Sequence, residues 1–105
     1  MNTVELDGQL VCHDAADVAL IEKFLPAHIE LTRAEPGCFA FDVTATENPL
    51  VWTVSEQFSS PESFRSHQQR VAASEWGQAT SAIERRYTVT GLDAVSGSDE
   101  QSALD

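Results

Sequence analysis

Stretches in which apolar residues recur every second position alternate here with stretches in which they recur at helical spacing. The order of these two periods leaves few folds open. From Val4 to Cys12 the apolar or small residues Val4, Leu6, Gly8, Leu10 and Cys12 share one side, with Glu5, Asp7 and Gln9 on the other, the mark of a half-buried strand. Asp14 then suits the N-cap of a helix that starts near Ala15 and runs toward Ala34. At about 100° per residue, Leu20, Ile21, Phe24, Leu25, His28, Ile29, Leu31 and Thr32 fall on one broad face, with His28 near its middle. Pro26 cannot donate its backbone hydrogen bond and predicts a kink rather than two helices.

Glu35-Pro36-Gly37 breaks that helix, with Gly37 suited to a positive φ. Cys38 to Thr46 alternates again, placing Phe39, Phe41, Val43 and Ala45 together, and Glu47-Asn48-Pro49 is a turn. A third strand follows from Val51 to Phe58, with Trp52, Val54, Glu56 and Phe58 on a common face. Ser60-Pro61-Glu62 has the composition of a helix start, and Phe64, His67, Gln68 and Val71 share a face of that helix. A short helix is expected over Ser74 to Ile83, then a last strand over Arg85 to Thr90 with Tyr87 and Val89 on one side. The order βαββααβ is met most economically by an α+β fold: a four-stranded antiparallel sheet with helices on one face, the ferredoxin-like βαββαβ arrangement.

A chain of 105 residues is one core's worth, so residues 1–90 are read as a single domain. The polar, acidic, aperiodic stretch 91–105 is read as a flexible tail. Seventeen acidic against six basic residues give a net charge of -11, which would repel a phosphate backbone and speaks against nucleic-acid binding. The apolar runs are far shorter than the roughly 20 residues of a membrane span, and no charged segment followed by an apolar one opens the chain. Neither a membrane nor secretion is expected, and the expected address is cytoplasmic.

Cys12 and Cys38 form no C-x-x-C pair and read as small buried hydrophobes. The topology also sends them to opposite ends of the sheet, beyond disulfide reach. All four strands carry apolar side chains, so the sheet face away from the helices is expected to need a cover, which a second sheet would supply in a homodimer.

Three ordered motifs then carry a resemblance: the run TRAEPGCFAFDV from Thr32, W-x-V-x-E-x-F over Trp52 to Phe58, and S-P-E-S-F-R-S-H over Ser60 to His67. Together they resemble the antibiotic-biosynthesis-monooxygenase (ABM) family, in its small quinol-monooxygenase-like type, over about residues 4 to 90. The resemblance implies a dimeric α+β barrel with a pocket between helices and sheet in each subunit. It implies oxidation of a small quinol or polyphenol by molecular oxygen, with no cofactor. His28, Glu56 and His67 match pocket positions of the family, and Phe24, Phe41, Trp52, Phe64 and Trp76 are the expected walls for an aromatic substrate.

The chemistry suits these residues. Removing a phenolic proton makes a quinol a far better electron donor to oxygen, and a histidine serves as that base near neutral pH. His67 and His28 are the candidate bases and Glu56 the orienting carboxylate. The same histidines also suit a plain core role with Glu56 as hydrogen-bond partner. Two histidines and a glutamate match the ligand types of non-haem iron oxygenases as well, but no tight spacing such as H-x-E is present, and no metal is expected. Family members that degrade haem use a first-strand asparagine, whereas this strand offers Asp7 and Gln9, and the only asparagines are Asn2 and Asn48. The alternatives are a dimeric module that binds a small aromatic ligand without chemistry, or an isomerase or lyase on a small metabolite.

Overall fold

The computed structural model describes residues 3–92, so the expected tail lies almost wholly outside the described residues. The elements run β1 (Val4–Val11), α1 (Ala15–Arg33), β2 (Cys38–Ala45), β3 (Val51–Phe58), α2 (Pro61–Ala73), α3 (Glu75–Ala79) and β4 (Glu84–Thr90). The sheet order is β2-β3-β1-β4 with every neighbouring pair antiparallel, the ferredoxin-like α+β arrangement expected from the sequence.

Local chemistry sets the element ends. Asp14 accepts from the backbone N–H groups of Ala16 (3.0 Å) and Asp17 (3.2 Å), and α1 then continues through Pro26 without a break. Ser60 opens α2 in a reciprocal capping box with Ser63, and Pro61 takes the first helical position, where its missing donor costs nothing. Gly37 has a φ of 92°, and a Cβ there would stand 2.7 Å from Ser59 Oγ and Ser63 Cβ, so the turn out of α1 requires glycine twice over.

On the helix side of the sheet lie Val4, Leu6 and Leu10 of β1, Val54, Glu56 and Phe58 of β3, and Phe41 of β2, all buried. Ile21 and Leu25 of α1, Phe64 and Val71 of α2, and Trp76 of α3 close over them. Each large apolar side chain fully buried here contributes about 1.5–3 kcal/mol. Gly8 leaves room for its β4 neighbour: a Cβ would stand 2.7 Å from the Tyr87 ring.

Four expectations are modified. Leu31 is 52% exposed, because the buried stripe of α1 is the narrower Ile21, Leu25, His28, Thr32 set. Phe39 is 59% exposed because a bulge between Cys38 and Ala40 breaks the alternation and turns it outward. The third helix stops at Ala79 rather than Ile83. There Thr80 folds its hydroxyl back to the Trp76 carbonyl (2.6 Å), and Arg85 donates to the carbonyls of Thr80 (2.6 Å) and Ile83 (3.0 Å). The face away from the helices is polar, with Glu5, Asp7, Gln9, Thr53, Ser55, Asp42, Thr44, Arg86 and Thr88 all exposed, because the apolar halves of all four strands point the same way. No bare apolar face demands a cover.

The thiols of Cys12 and Cys38 are free. Cys38 pairs across β3 with Phe58, which pairs with Val4 at one end of β1, while Cys12 follows Val11 at the other. Eight strand residues separate them, roughly 25 Å.

Candidate active site

Three elements bring the polar residues together. On α1, spacings of four, three and four align Ile21, Leu25, His28 and Thr32 on the buried stripe. On α2 the corresponding stripe is Phe64, His67 and Val71. In β3, Glu56 has the inward parity of Val54 and Phe58, and its cross-strand neighbours are Leu6 and Phe41. His28, Glu56 and His67 are thereby all buried, at 2%, 3% and 1% exposure.

His67 is the hub. Its Nδ1 lies 2.8 Å from Oε1 of Glu35, and the other oxygen of Glu35 accepts from Nε of Arg70. Arg70 Nη2 in turn donates to the buried Thr32 hydroxyl at 2.9 Å. A carboxylate at Nδ1 holds the ring proton on that nitrogen and leaves Nε2 as the basic one. Nε2 is 3.8 Å from Oε1 of Glu56, beyond a hydrogen bond yet close enough for a proton captured there to feel the carboxylate strongly in a buried setting. The rings of Phe58 (4.8 Å) and Phe41 (6.0 Å) flank the imidazole.

His28 is placed by rings. It stacks on Trp76 with centroids 4.7 Å apart and planes 6° from parallel, meets Phe41 edge-on at 5.1 Å, and lies 6.0 Å from His67. The position of Trp76 depends on Gly77. A Cβ on Gly77 would stand 2.0 Å from the Val71 carbonyl oxygen, so only glycine lets α3 approach the end of α2 this closely.

Two spaces adjoin these residues. An outer cleft of about 290 Å³ runs between α1 and the α2–α3 corner, lined by Lys23, Phe24, Ala27, His28, Leu31, Arg70, Ser74, Glu75 and Trp76. An inner gap between helices and sheet holds about 150 Å³ of unfilled space, bordered by Leu10, His28, Phe41, Val43, Val54, Glu56, Trp76 and Tyr87, and is too narrow to seat a water molecule. His28 and Trp76 border both, so their stacked rings form the partition.

Of the expected aromatic walls, Phe24 and Trp76 line the cleft and Phe41 the gap. Phe64 is fully buried against Phe58, with centroids 5.8 Å apart, and Trp52 packs half-buried against the core; neither borders these two spaces. Glu35, Arg70 and Thr32 are not among the site residues expected from the sequence, although Thr32 shares the helical face of His28. Arg70 was within reach of such reasoning, since it lies three residues after His67 on one helix. Among the described residues no group of three or more His, Cys, Asp or Glu side chains is arranged to hold a metal ion, and no helix is long and apolar enough to cross a membrane.

The sequence pattern of the antibiotic biosynthesis monooxygenases matches residues 11–79. The chain belongs to that family. Solved structures agree with the ABM fold. MupZ from Pseudomonas fluorescens superposes with a TM-score of 0.76 at 18% identity, over 95% of this chain and 79% of that one. SnoaB, a cofactor-independent oxygenase from Streptomyces nogalater, gives 0.72 at 12% identity over 89% and 95%. A conserved protein from Methanosarcina mazei gives 0.69 at 19% identity over 89% and 95%. At these identities the likeness is one of fold. Against curated proteins, no sequence relative matches this ABM chain.

Proposed function

We propose that this ABM protein is a cofactor-independent monooxygenase that oxidises a small quinol or polyphenol with molecular oxygen. The observation that carries the reading is the bracketing of His67 by Glu35 at 2.8 Å and Glu56 at 3.8 Å within an aromatic interior. Nε2 of His67 takes the phenolic proton, and Glu56 stabilises the imidazolium that results. The substrate anion then passes an electron to oxygen, and the radical pair combines to form a C–O bond. Loss of water gives the hydroxyquinone, so one oxygen atom enters the ring and the other leaves as water, with no external reductant. Family membership supports the reading, as does the fold shared with a cofactor-independent oxygenase.

The inner gap is too narrow for a ring, so the reaction requires the His28–Trp76 partition to part and admit substrate from the cleft. The sheet-face homodimer belongs to the same proposal, with hydrogen bonds rather than apolar burial joining the two polar faces.

The test is oxygen uptake by metal-free protein supplied with reduced quinones and polyphenols, corrected for autoxidation. Saturable uptake with quinone formation, abolished in His67→Ala, is the expected result. Uptake no faster than autoxidation across the panel would overturn the oxygenase reading.

A further inference from the structure

The outer cleft combines features that no proton-transfer role explains. Lys23 is the only lysine of the chain, and it borders the cleft with its ammonium 5.3 Å from the centre of the Phe24 ring. No carboxylate among the described residues lies within ion-pair distance of it. Arg70, also in the lining, spends Nε on Glu35 and Nη2 on Thr32, while its Nη1 has no hydrogen-bond partner among the described residues. Trp76 is 4% exposed, and its indole N–H likewise lacks a partner. An exposed ammonium and two shielded, unpartnered donors therefore belong to the lining of a space with two aromatic walls, in a chain whose acidic residues outnumber its basic ones by 17 to 6.

The carboxylates nearby do not cancel this. Glu75 is an exposed residue of the lining, and Glu35 is engaged by His67 and Arg70. A shielded guanidinium N–H without an acceptor, with an exposed ammonium in the same lining, favours a ligand that brings its own anionic acceptor. We infer that the cleft binds a planar aromatic acid, its carboxylate held by Lys23 and Arg70 and its ring between Phe24 and Trp76. Resting on the aromatic-substrate reading above, this narrows the substrate class to aromatics that carry an acidic group away from the reacting hydroxyl. Arg70 then joins the anion site to the base, since the same guanidinium holds Glu35 against His67.

The test is equilibrium binding of 2-naphthoate and of its uncharged isostere 2-naphthamide to the full chain at low salt, followed by calorimetry and by backbone amide shifts. Naphthoate is expected to bind about tenfold more tightly than the amide, as a charge-assisted contact implies. Shifts should concentrate on the cleft stretches 23–31 and 70–76. Lys23→Met, at an exposed position, should weaken naphthoate about threefold and leave naphthamide unchanged. Equal affinity for acid and amide, no binding of either at millimolar concentration, or shifts centred on the polar sheet face would each overturn the proposal. Naphthoate has no phenolic proton to lose, so its binding is read apart from turnover. Acid selectivity without quinol-driven oxygen uptake would leave the anion site standing and remove the oxygenase reading, whereas uptake without acid selectivity would do the reverse.

Discussion

Glu35 sits 2.8 Å from Nδ1 of His67 although 32 positions separate them in the chain, and this contact decides which imidazole nitrogen is basic. Glu35→Gln keeps the shape and removes the charge, so it is expected to lower kcat for quinol oxidation and to move the pH dependence of the rate. His67→Ala should cost roughly a hundredfold or more, the usual contribution of a positioned base. Glu35→Gln should fall between that variant and the parent. A Glu35→Gln enzyme with the parent's rate and pH profile would show that the carboxylate has no part in positioning the base.

Glu56 is buried between Leu6 and Phe41. A carboxylate there pays for desolvation that a neutral isostere avoids, so Glu56→Gln is expected to keep or raise the melting temperature while turnover drops. Calorimetric melting beside oxygen uptake separates the two effects. A variant that lost both stability and activity would identify Glu56 as a structural partner alone.

Trp76→Ala removes the ring stacked on His28 and with it the partition between cleft and gap. The loss of a buried tryptophan should cost about 3–5 kcal/mol. The enlarged space should admit two-ring ligands more readily than the parent does. Urea unfolding gives the first quantity and anaerobic titration with one-ring and two-ring aromatics the second.

Burial pushes the Cys12 thiol above the ordinary range, with Asp17 and Asp14 adding to the rise. Cys38 is raised by burial first and Glu35 second. Both should react slowly with iodoacetamide in the native protein at neutral pH and readily once it is unfolded. The sign for stability follows from the raised folded values. The contribution is full below the pKa of an unfolded thiol and fades as pH climbs through the folded one, so stability should decline on the alkaline side. Denaturant midpoints measured between neutral and alkaline pH check this.

The polar outer face bears on assembly. Glu5 and Asp7 are exposed and of one sign, while Asp42 and Glu84 are ion-paired with Arg33 and Arg86. Two such faces repel at low salt, so a dimer through the sheet should tighten as ionic strength rises. Sedimentation equilibrium across a salt series reads this, and a species that remains monomeric throughout would remove the dimer from the proposal.

Much of this was legible beforehand because each signal was local. Asp14, Ser60 and Gly37 mark turns and caps through chemistry within a few residues, and parity along β3 was enough to turn Glu56 inward. The misses have a common origin in relations between segments. Glu35 reads as part of a helix-breaking turn, and only the docking of that turn against α2 makes it the partner of His67. Phe39 alternates correctly along its own strand, but the register across β3 introduces the bulge that expels it. The apolar halves of the strands are each visible, yet that all four face the helices is a property of the assembled sheet.

Thr32, Glu35, Glu56, His67 and Arg70 all come from the middle of the chain, while β1 reaches the inner gap through the apolar Leu10. Heredity can therefore treat the two separately. Drift at position 10 would recarve the space a substrate must fit without disturbing a group that moves a proton, and a breeder of new specificities would begin on the chain's first strand.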